Sequence, residues 1–105
     1  MKKAAIFLGM AMLVLGLAAG AMAHSPICTC YDNGDGTISC EGGFSDGSSA
    51  AGVNMYVKQG DKTLLKGAMN ADSEFTFKKP QGEYKVTFDA GEGHQVVING
   101  KDIVE

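Results

Sequence analysis

The sequence predicts an all-β protein, a small antiparallel β-sandwich of about seven short strands behind a helical signal peptide. Three observations carry this. Polar and apolar residues alternate with period 2 in short runs, most clearly Glu74–Phe77 and Glu83–Phe88, the pattern of half-buried strands. Turn residues punctuate these runs at intervals of roughly 8–12 residues. Beyond Ala23 no stretch repeats its apolar residues at helical spacing.

The chain opens Met1-Lys2-Lys3, continues through an apolar run from Ala4 to Ala19, and reaches Ala21-Met22-Ala23. A basic start, a short apolar segment and an Ala-x-Ala site describe a secretory signal peptide cleaved after Ala23. The apolar run is short for a bilayer span, so no stable membrane insertion is expected after cleavage. Ser25-Pro26-Ile27 ahead of Cys28 is not a lipobox, and acylation is not expected. The domain is then 24–105, periplasmic or secreted.

Nine Lys, no Arg and twelve Asp and Glu give the full chain a net charge of −3; removing Lys2 and Lys3 takes it to −5. Without guanidinium groups or a basic stretch, nucleic acid is not a partner the sequence points to. An acidic surface suits an envelope protein or a cation binder. A domain of this size buries only ~60–65% of its unfolded surface, so a covalent staple would be a substantial gain.

Taking the strands in order, Ile27–Tyr31 and Thr37–Glu41 flank Asp32-Asn33-Gly34-Asp35-Gly36, whose Asn-Gly and Asp-Gly steps are strong hairpin signals. Glu41–Ala51 is small and polar with Phe44 as its one apolar anchor, and reads as a connection turning at Asp46-Gly47. Val53–Gln59 follows with Val53, Met55 and Val57 inward, and Thr63–Met69 returns after Gly60-Asp61-Lys62. Asn70–Ser73 turns into Glu74–Phe77. Lys79-Pro80-Gln81-Gly82 then leads to Glu83–Phe88, which the alternation predicts as the partner of Glu74–Phe77 in one antiparallel hairpin. Phe75, Phe77, Tyr84, Val86 and Phe88 share its inner face. Gln95–Asn99 is a further strand, and Ile103-Val104 a short end.

Cys28, Cys30 and Cys40 lie in the first predicted hairpin. Cys28 and Cys30 share a face, and Cys40 lies opposite one or the other depending on register. One disulfide including Cys40 is expected in an oxidising compartment, with one thiol left over. A thiolate site for Cu(I) or Zn(II) is the competing reading. The Cys-x-Cys spacing without a βαβ pattern argues against a thioredoxin-type activity.

The run GGFSDGSSAAGVNMYV, with TLLKGAMNADSEFTFKKPQGEYKVTFDAG after it, resembles the carboxypeptidase regulatory-like (transthyretin-like) β-sandwich domain. Asp46-Gly47 and Gly52-Val53 match the start of its first strand, Asp72–Phe77 its middle strand, and Gln81–Tyr84 with Val86 and Phe88 its last. Ser73 departs from the pattern, standing where the family often has glycine. The resemblance spans half the chain and implies an Ig-like or transthyretin-like sandwich with a non-catalytic role. The closing Asp89-Ala90-Gly91-Glu92-Gly93-His94 is also similar to small periplasmic accessory proteins of nickel and cobalt uptake.

Cleavage after Ala23 makes His24 the first residue, offering an α-amine and an imidazole to one ion, a strong chelate for Ni(II) or Cu(II). His94 is the only other histidine, and Asp89 and Glu92 flank it as possible oxygen ligands. The arrangement is similar to the histidine brace of periplasmic copper carriers. A calcium loop over Asp32–Glu41 fails, because aligning Gly36 with the required glycine puts Tyr31 and Gly42 where carboxylates belong. No Gly-x-Ser-x-Gly, triad order or paired carboxylates stand out, so no enzyme is expected. Two functions stay open: a protein handling nickel, cobalt or copper beside an envelope transporter component, or a metal-free module contacting another periplasmic protein or the cell wall.

Overall fold

A computed structural model describes residues 24–105. The expected signal peptide, 1–23, lies outside the described residues. Among the described residues seven strands form two antiparallel sheets: β1 (Pro26–Asp32), β2 (Thr37–Phe44), β3 (Asn54–Gln59), β4 (Lys62–Ala68), β5 (Glu74–Lys78), β6 (Lys85–Asp89) and β7 (Gln95–Asn99). One sheet has the order β1-β2-β5 and the other β4-β3-β6-β7. A 3₁₀ turn, Gly100–Asp102, follows β7. Among the described residues no helix is long and apolar enough to cross a membrane.

The all-β sandwich is therefore the fold the alternation predicts, with one pairing changed. Glu74–Phe77 and Glu83–Phe88 are not partners in a hairpin. β5 pairs with β2, with Phe77 beside Ile38 and Phe75 beside Cys40. β6 pairs with β3 and β7 in the opposite sheet. The connection through Pro80 and Gly82 crosses between sheets. It is tethered at both ends: the Lys79 N–H donates to the Gly36 carbonyl, and the Gly100 N–H donates to the Tyr84 carbonyl. Alternation dictates which face of a strand is buried, and both strands bury the predicted face. It carries nothing about which neighbour takes the hydrogen bonds.

The core lies between the sheets. Ile38, Cys40 and Phe77 from one sheet meet Met55, Val57, Val86 and Phe88 from the other, with Tyr84 and Ile103 closing one end. β2 runs on to Phe44, beyond the predicted end at Glu41, because Gly42 is a packing residue and not a connection. A Cβ there would stand 2.7 Å from the Phe88 ring and 3.0 Å from the Met69 methyl, closer than carbon atoms approach without displacement. Ser73 adopts φ +60, the left-handed region a glycine occupies most cheaply. Its hydroxyl offsets that cost by accepting the Ala50 N–H at 2.9 Å.

Candidate metal site

Two segments separated along the chain bring the histidines together. The β1–β2 ladder starts with Pro26 opposite Phe44 and is extended by one step, where the Ser45 N–H donates to the Ser25 carbonyl and the Ser25 N–H to the Ser45 hydroxyl, both at 2.9 Å. That pins the chain immediately after His24. The Asp46-Gly47 turn closes back on it: the Gly47 N–H donates to the Phe44 carbonyl and the Ser48 N–H to Asp46 Oδ1. His24 consequently stacks on the Phe44 ring at 4.3 Å and 10°, and its Nδ1 lies 2.8 Å from Asp46 Oδ2. Hydrogen bonds from Ser48 and His24 hold the Asp46 carboxyl well below the usual carboxylate range. Its Oδ2 faces the imidazole as an acceptor.

His94 arrives from the β6–β7 connection. The Ala90 N–H donates to the His94 carbonyl and the His94 N–H to the Gly91 carbonyl, a tight closure made possible by Gly91 and Gly93 at φ +115 and +77. His94 Nδ1 is 3.2 Å from the Glu92 carbonyl. A carbonyl only accepts, so the proton of the neutral ring sits on Nδ1 and the Nε2 lone pair is left open, the ligand-ready tautomer. The two imidazole centroids are 6.2 Å apart and tilted by 57°.

The flanking acids also shape the turn. Asp89 Oδ1 accepts the Gly91 N–H at 3.0 Å and so shapes the turn, while Glu92 contributes its backbone carbonyl to His94. Asp89 also lines a shallow depression of about 500 Å³ with Phe44, Asn54 and Gly91. A groove of about 670 Å³ at the opposite end of β6 is edged by Lys58, Lys79, Lys85 and Lys101 and includes neither histidine. Asp46 is the site residue that the sequence reading missed. Asp-Gly announces a turn, and nothing local announces that the turn folds back onto His24.

The cysteines resolve into a Cys30–Cys40 disulfide and a free Cys28. Register decides this, since Cys30 is directly opposite Cys40 and Cys28 is opposite Gly42. Burial pushes the Cys28 thiol up to about 11, so at neutral pH it stays protonated and a poor nucleophile. Titration with a thiol reagent is expected to count one thiol per denatured, unreduced chain and to find that thiol slow to react when native. Three thiols, or one that reacts at the rate of a free cysteine in the native protein, would contradict this arrangement. The disulfide is consistent with an oxidising compartment. Compared with family models, with curated proteins and with solved structures, the chain matches none.

Proposed function

We propose that this is an exported, non-enzymatic β-sandwich that binds one divalent transition metal ion, nickel, cobalt or copper, as an accessory to envelope transport. The observation that carries the reading is the approach of His24 and His94 to 6.2 Å between ring centroids. Export and cleavage after Ala23 would free the His24 amine, which with His24 Nδ1 closes a chelate on the metal, and His94 Nε2 supplies a third nitrogen. In that process Nδ1 exchanges its Asp46 contact for the metal, leaving a fixed carboxylate beside the ion to balance its charge. Imidazole and amine nitrogens suit these late divalent metals. The carboxypeptidase regulatory-like resemblance belongs to the same reading, and Ser73 at φ +60 supports it by occupying, in a glycine-like conformation, the position where that pattern has glycine.

The test is calorimetric titration of Ni(II), Co(II) and Cu(II) into the chain beginning at His24 and into the same chain carrying one additional residue before it. The additional residue turns the amine into an amide, and a clear loss of affinity is expected. Equal binding by both proteins, or binding no tighter than about millimolar, ~4 kcal/mol, would leave the metal-free interaction module. That second reading draws on β4, an edge strand whose Leu64 and Leu65 are exposed. Exposed apolar residues on an unpaired edge are a site for strand addition by a partner.

A further inference from the structure

Among the described residues, one group of three or more His, Cys, Asp or Glu side chains has ligand atoms all within 4.8 Å of one another: Cys28, Cys30 and Cys40. It is separate from the histidine pair. Its geometry follows from the ladder. Cys28 and Cys30 repeat on the inner face of β1, Cys40 is directly opposite Cys30, and Gly42, opposite Cys28, has no side chain to intervene. Cys40 is fully buried, and Cys28 and Cys30 pack partly buried against the core. Cys28 and Cys30 lie on the edge strand β1 and Cys40 on the middle strand β2, with the core behind them.

We propose that the reduced protein binds a single Cu(I) ion through the three sulfurs of Cys28, Cys30 and Cys40, and that the Cys30–Cys40 disulfide is the closed form of this site. Opening it consumes two electrons and two protons from an external dithiol, which leaves as its own disulfide while Cys30 and Cys40 become thiols. Cu(I) then displaces thiol protons to solvent as the Cu–S bonds form, with no change in copper oxidation state. The donor set selects the metal. Thiolates favour soft cations, and Zn(II) in structural sites takes four ligands, whereas among the described residues no fourth His, Cys, Asp or Glu joins this group. Three sulfur donors without a further protein ligand fit a soft, low-coordinate Cu(I) ion. Cys28 has a reason to be cysteine on this account: it keeps the third donor in place while the other two are held as a disulfide.

The experiment is an anaerobic competition between the protein and a chromophoric Cu(I) chelator. It compares the dithiol-reduced chain, the disulfide form, and reduced Cys28→Ser. The reduced chain is expected to take one equivalent, with sulfur-only coordination in the X-ray absorption spectrum. The disulfide form and Cys28→Ser are each expected to bind at least about 100-fold more weakly, the upper end of what losing only an outer-shell partner costs. Equal affinity for the oxidised and reduced chains, or for Cys28→Ser and the parent, overturns the proposal. If reduction alone unfolds the domain, circular dichroism supplies the answer, since Cu(I) should then restore the β spectrum of the parent and not of Cys28→Ser. Copper binding that leaves the parent unfolded also overturns it. The nickel titration above is a separate measurement on different residues, so either result stands or falls alone.

Discussion

Phe88→Ala is expected to lower the unfolding free energy by about 3–5 kcal/mol, the range for emptying a large aromatic site in a core. Phe88 is fully buried in β6, in register with Met55 on one side and Val96 on the other. Its ring also lies 6.1 Å from that of Phe44 and fills the space that Gly42 leaves empty. Of these neighbours Met55 is fully buried and Gly42 is backbone, which leaves the cavity little freedom to collapse. Domains have total stabilities of about 5–15 kcal/mol, and one this small sits toward the lower end, so the loss is a large share. Lys85→Ala, on the exposed face of the same strand, should change stability by less than about 0.5 kcal/mol. Chemical denaturation of both variants checks this, and similar losses at the two positions would contradict the inward register of β6.

Metal affinity of the chain beginning at His24 is expected to fall steeply on acidification below roughly pH 7.5. A nitrogen must give up its proton to become a ligand, and ordinary imidazoles and α-amines titrate near ~6.5 and ~7.7–8.0. The chain extended by one residue lacks the amine and should show a shallower fall. His94→Ala should bind more weakly at every pH, by more than about tenfold or ~1.4 kcal/mol, and should retain the amine-dependent part of the slope. Calorimetry at several pH values separates these outcomes. A flat profile, or identical slopes for the free and the extended amine, would remove His24 from the metal.

The same physics explains how much of this was legible beforehand. Period-2 alternation is written locally, residue by residue, so the strands and their buried faces could be read directly. Met55 and Val57 inward, with Tyr56 and Lys58 outward, needed no tertiary information. The Asn33-Gly34 and Asp35-Gly36 steps likewise predicted the first hairpin, and with it the set of cysteines that meet. The β5–β6 pairing was misread because a turn containing Pro80 and Gly82 serves a hairpin and a crossing between sheets equally well. Gly42 and Gly43 hid the end of β2 because residues without side chains carry no alternation to read.

For the candidate site, His24 and His94 were visible as the two histidines, and the glycines around His94 as a tight turn. Their approach was not visible, because it depends on β2 continuing to Phe44 and on the turn at Asp46 folding back beneath the start of β1. The choice of Cys30 over Cys28 for the disulfide was a matter of one register step, which an odd-length loop leaves open. The sequence by itself determined the all-β class, the inner faces of the strands and the chemistry of the available donors, since each follows from neighbouring residues. Only the tertiary structure decided which sheet each strand joined, which cysteines paired and which donors met. Those outcomes rest on hydrogen bonds and packing between segments far apart in the chain, such as the Lys79 tether to Gly36 and the seat that Phe44 provides for His24.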